Sequence, residues 1–148
     1  MSKPKITFKM EGTKKVVEQF NAIATKAKKE TKEQVNKSAL NIQRGAKKRS
    51  RVDDGAMRAG WITEPYQSGF TIDIMNRLEY AIYHEYGTGK YAEHPSIPGR
   101  SDPWVYKDPK TGEFVFTYGI TAKPMLRPSY DAEKPNFESG IERIFKNL

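Results

Sequence analysis

The hydrophobic pattern of the chain changes period several times, and each change predicts an element. Ile6, Phe8 and Met10 alternate with polar neighbours up to Gly12, which predicts a short first strand. Thr13 is then placed to cap a helix. Val16, Val17, Phe20, Ile23, Ala24 and Ala27 recur at helical spacing with lysines opposite, and Val35, Ala39, Ile42 and Ala46 carry a second such face to about Lys48. Glu30 and Thr31 mark either the start of a second helix or a kink in one long helix. "RVDDGAMRAGW" has no periodic face and carries an Asp-Asp-Gly turn signal, so it reads as an exposed loop.

Period two returns at Trp61–Glu64 and Phe70–Met75, a hairpin about "PYQSG". A second hairpin joins Trp104–Lys107 to Glu113–Tyr118 through residues 108–112. Leu78–Tyr86 between them suits a short helix or a strand. Phe137, Ile141, Ile144, Phe145 and Leu148 close the chain on a helical face, with Pro128 in an early turn or Pro135 dividing it. The fold class is therefore α+β: N-terminal amphipathic helices and a C-terminal helix packed on a small antiparallel β-sheet. We expect a single domain over residues 1–148, with 91–117 as a projecting loop and hairpin.

Composition narrows the chemistry. The 148 residues include no cysteine, which excludes thiol catalysis, cysteine-ligated zinc and iron–sulfur clusters. No run of about 18 apolar residues exists, and "MSKPKITFKM" lacks a signal peptide's apolar core, so no membrane association and a cytoplasmic origin are expected. Charge is divided unequally: residues 1–51 carry 15 Lys and Arg against 4 Asp and Glu, while residues 52–148 carry 11 against 14. A basic half and a slightly acidic half suit DNA contact, and equally suit stacking against copies or neighbours of itself. The basic cluster Lys47, Lys48, Arg49 and Arg51 reads either as the solvated end of a helix, where cations favour the dipole, or as a DNA-facing or interface surface.

The histidines and glycines of "YHEYGTGKYAEHPSIPGR" invite three enzymatic readings. His84-Glu85 begins like a zinc protease motif, but position 88 is Thr where the second histidine should stand, and a metal shared with His94 would need a folded-back loop. Gly87-Thr88-Gly89-Lys90 echoes a phosphate loop without its earlier glycine, and Tyr91 takes the place of the hydroxyl residue. Asp73, Glu79, Glu85 and Glu93 could form a carboxylate set, yet nothing in their spacing fixes them on one face. The aromatics of "WVYK" and "FVFTYG" could stack single-stranded bases but more often make cross-strand pairs. We expect no catalytic residue, no metal and no cofactor.

The order of the motifs carries more than any one of them. "VDDGAMR" supplies Val52, Asp53, Gly55 and Arg58; "YAIYHEYGT" supplies Tyr80, Ala81, Tyr83, Glu85, Tyr86, Gly87 and Thr88; "AKPMLRPSY" supplies Ala122, Pro124, Leu126, Arg127 and Pro128. In that order, between amphipathic N-terminal helices and a C-terminal helix, the chain resembles the tail-completion, or neck, proteins of long-tailed double-stranded DNA bacteriophages. Met125 stands where that family often has Phe, and Ser129 where it has Ala. The resemblance implies a non-enzymatic structural protein of the virion neck, forming a homo-oligomeric ring of six copies around the DNA channel. Its implied partners are itself, a head-closure or connector protein, a tail-terminator or tail-tube protein, and the packaged DNA. A tail terminator and a basic nucleic-acid-binding module are the alternatives. The loop from Lys90 to Arg100 is expected to touch a neighbouring subunit, and deleting Tyr91–Gly99 to leave the protomer folded.

Overall fold

In the computed structural model, residues 9, 11–51, 55–97 and 99–148 are described. The first strand expected over Ile6, Phe8 and Met10 lies outside the described residues, as do Val52 and Asp53. The N-terminal helical pattern forms one uninterrupted helix, α1 (Thr13–Arg49), and not two. The reason is in the sequence: no Gly or Pro occurs between Gly12 and Gly45, so nothing around Glu30 breaks the backbone ladder. Thr13 is the first helical residue, and Gly12, with φ of 100°, holds the cap position. At the other end Ser50 closes the helix, its N–H and Oγ both donating to the Ala46 carbonyl (3.0 and 2.8 Å).

The segment expected as an exposed loop folds inward. A single turn, α2 (Ala56–Ala59), starts at Gly55 in the left-handed region (φ 76°) and drives Met57 and then Trp61 into the core. Four residues are too few to show a periodic face, so the sequence pattern missed them. Strands β1 (Trp61–Tyr66) and β2 (Thr71–Asn76) pair antiparallel from Trp61 opposite Asn76 to Tyr66 opposite Thr71. Ile72 and Ile74 alternate inward against exposed Thr71, Asp73 and Met75. Helix α3 (Ala81–Tyr86) resolves the ambiguous Leu78–Tyr86 stretch. Strands β3 (Trp104–Lys107) and β4 (Phe114–Thr117) form a second antiparallel ribbon, so the expected sheet is divided into two.

Helix α4 (Leu126–Lys146) takes Pro128 into its first turn and continues through Pro135. It runs antiparallel along α1. Arg49 Nη1 donates to Ser129 Oγ (3.1 Å), Ser38 Oγ and Asn41 Nδ2 donate to Glu133 Oε1 (2.8 and 3.2 Å), and Lys26 Nζ reaches the Asn147 carbonyl (3.1 Å). Gly45 lets the helices touch, since a Cβ there would press on the Ser129 side chain. Ala46, Met57, Trp61, Ala81 and Met125 form the core, with Ile74, Leu78 and Leu126 packed on it. Trp61 Nε1 donates to Ser50 Oγ (2.8 Å), which satisfies the indole as it is buried.

That core is small. The chain exposes 11411 Å², against roughly 7,700 Å² expected of a compact monomer of its mass. Much of the exposed area is apolar, with Phe20 at 68%, Phe114 at 77% and Phe116 at 61% of their free-residue exposure.

Candidate functional site: a clasp between two motifs

The Tyr-rich motif and the Pro-rich motif meet. Helix α3 has six residues, too few to persist on its own backbone bonds, and its last three carbonyls are each taken by a group from outside it. His84 O accepts from Lys123 N (2.7 Å), Glu85 O from Arg127 Nη2 (2.8 Å) and Tyr86 O from Glu93 N (2.8 Å). Glu85 returns the contact. Its buried carboxylate accepts three backbone N–H groups at the start of α4: Met125 N (2.6 Å) and Leu126 N (2.9 Å) at Oε2, and Arg127 N (2.9 Å) at Oε1. These are the donors a helix start leaves without partners, and the helix dipole favours a negative charge there.

Arg127 completes the clasp. Its Nε faces Glu85 Oε1 at 3.4 Å, an ion pair outside hydrogen-bond geometry, and Nη2 donates to Glu93 Oε2 at 3.0 Å. The guanidinium also lies over the Tyr86 ring, 4.7 Å from its centroid. The hydrogen bond to Glu93 raises the Arg127 pKa above its ordinary value; burial works the other way, and the charges of Glu85 and Glu93 add to the rise. Tyr86 also packs against His94, with ring centroids 4.6 Å apart.

The residues read as possible metal ligands are therefore engaged in structure. Glu85 spends both oxygens on backbone donors and Arg127, and His94 Nδ1 accepts from Ser96 N (3.1 Å). His84 sits edge-on to Tyr80 at 6.0 Å. Among the described residues, no three His, Asp or Glu side chains converge as a metal site would need.

Gly87-Thr88-Gly89-Lys90 is a backbone crossing. Thr88 N donates to Ile120 O (2.9 Å), Lys90 N to Tyr118 O (3.1 Å), and Ile120 N to Thr88 Oγ1 (2.9 Å). Two of the amides a phosphate would use are thereby occupied. Gly87 (φ 74°) is required here twice over, by its left-handed backbone and because a Cβ would strike the Tyr91 and Ile120 carbonyls. Lys90 lies over the Tyr118 ring at 4.5 Å.

The loop after it does not simply project. Ile97 is buried, Glu93 holds Arg127, and His94 packs on Tyr86, so residues 93–97 are folded back onto the clasp. The part that stands out is the β3–β4 ribbon, whose Val105, Phe114, Phe116 and Tyr118 are exposed. Deleting Tyr91–Gly99 would thus remove a buried side chain and the partner of Arg127, which argues against the expectation of an unperturbed protomer.

The remaining motif residues are spread around this clasp. Arg58 Nε donates to Lys47 O (3.2 Å), a cation bonded to a last-turn carbonyl of α1. Tyr80, just before α3, and Tyr83 on it are exposed, and Pro124 is exposed before α4. Of the basic cluster, Arg49 is committed to Ser129 and Gly45 O, Lys47 is half-buried, and Lys48 and Arg51 are exposed. A family model described as "Bacteriophage HK97-gp10, putative tail-component" matches residues 14–87. The chain belongs to the HK97 gp10-like family. The match takes in α1, the Gly55–Arg58 turn and α3, ends at Gly87, and leaves the α4 half of the clasp beyond it. Membership in this phage tail-component family gives the chain a structural role in the virion. The chain matches no curated protein and no solved structure.

Two features of the surface escape sequence reasoning. Glu93, read only as one carboxylate among several, is the outer partner of Arg127. A groove of about 570 Å³ also opens between α1, β2 and α4, floored by Ile42, Ile72, Ile74 and Leu126, with Asp73 and Asp131 among its lining residues. No signal in a linear pattern marks a groove assembled from three separated segments.

Proposed function

We propose that this chain is a non-enzymatic neck protein, which joins the phage tail to the filled head as a ring of six copies around the DNA channel. The observation that carries the reading, within the family assignment, is the apolar surface a single copy leaves uncovered: the exposed face of α1 from Val16 to Ile23 and the aromatic β3–β4 ribbon. Monomers seldom expose patches of this kind, and assembly components do. The clasp supports the reading in a second way, because Glu85 and Glu93, two of the carboxylates suggestive of chemistry, are used to hold α3 to the start of α4. Head-closure and tail-terminator rings are the neighbours this position implies.

Loss of the gene tests it. Without the protein, infected cells should yield DNA-filled heads and separate tails of normal length, and adding purified protein to that mixture should restore joined particles. Joined particles formed in its absence would overturn the proposal. Tails of irregular length would point to the terminator role instead.

A further inference from the structure

The apolar face of α1 is used twice. Over residues 35–46 it packs on β2 and α4, but α4 ends where Asn147 meets Lys26, and Thr13–Thr25 runs on beyond it. That overhang is about 20 Å long at 1.5 Å per residue. It carries Val16, Val17, Phe20 and Ile23 at 40–68% exposure. Lys14 falls on one flank of this stripe and Lys15 on the other.

We propose that the overhang of one copy lies in the groove between α1, β2 and α4 of the next copy, and that this head-to-tail contact builds the ring. The inference rests on the neck reading above and names the surfaces it would use. Four observations commit the groove to this occupant. The stripe from Val16 to Ala24 spans about 12 Å and fits within the roughly 16 Å of groove wall from Leu126 to Phe137. The overhang carries Lys14 and Lys15 against Glu18, a net positive charge, while the groove lining holds Asp73, Asp131 and Glu133 against Arg127 and Lys134, a net negative one. A continuous helix cannot fold its own residues 16–23 back onto residues 35–42, so the stripe can reach such a groove only on another copy. Two overhangs paired with each other would bring like charges together, which disfavours a two-fold dimer. Different patches meeting in this way give rings when the rotation closes.

The absence of native cysteine makes a clean test. Phages lacking the gene are complemented with the Phe20→Cys/Tyr130→Cys double variant, and their particles are oxidised and run without reductant. Tyr130 lines the groove and is half exposed, and Phe20 is 68% exposed, so neither replacement removes a core contact. A ladder of covalent multimers is expected, absent from either single variant. Dimers from Phe20→Cys alone would show overhang pairing and overturn the proposal, as would no ladder in joined particles that contain the protein. Joined particles that lack the protein would instead count against the neck reading. As a second arm, purified Phe20→Asp should unfold at the wild-type denaturant midpoint yet fail to join heads to tails; unimpaired joining would overturn the contact.

Discussion

Glu85 shows how one side chain can hold two elements at once. Its carboxylate replaces the partners that the first turn of α4 lacks, while its own backbone carbonyl is held by Arg127. Replacing it with Ala strands three inward backbone donors, so Glu85→Ala should lower stability by about 3 kcal/mol in urea titration. Glu85→Gln keeps an acceptor and should lose roughly half of that. Arg127→Lys tests the fork itself: Arg127 is 41% exposed, so solvent weakens its ion pairs and the loss should stay near 1 kcal/mol. A Glu85→Ala variant as stable as the parent would show that α4 starts without the clasp.

At the scale of elements, what the sequence made legible was whatever repeats locally. The faces of α1 and α4 and both hairpins follow from periods of 3.6 and 2 within short windows. What it hid was pairing across distance: Glu85 and Arg127 stand 42 residues apart, and hydrogen bonds leave no periodicity in the chain. The motifs contain both residues without showing that they touch. Met57 was hidden for a different reason, since a four-residue helix completes barely one turn. Pro135 is an exposed interior helix residue that denies the Asp131 carbonyl its usual donor. Pro135→Ala should therefore raise stability by about 1–2 kcal/mol, seen as a higher urea midpoint with unchanged slope. A drop would mean that α4 needs its proline bend to follow α1.

For the whole molecule, the division between a basic and an acidic half has to be separated from the positions of individual charges. Arg49 is exposed but spends Nη1 on Ser129 and Gly45, and Lys47 is half-buried, which leaves Lys48 and Arg51 as the members of the cluster best placed to meet a phosphate backbone. Neutralising these two to Gln should leave the fold intact. If this end of α1 lines the channel, duplex binding followed by fluorescence anisotropy at about 50 mM salt should weaken, and the slope of log affinity on log salt should fall by about 2. An unchanged slope would assign the cluster to protein contacts.

The offset between α1 and α4 has a mechanical consequence. A rod that extends past its partner and lies along a neighbour is a lap joint, and a pull along its axis loads that joint in shear. Every contact along the overlap must then yield together, whereas a peeling load breaks them one by one. If the chain sits in the neck as proposed, the pressure of packaged DNA stretches it along some axis, and the direction of α1 relative to that axis decides which kind of load the protein meets.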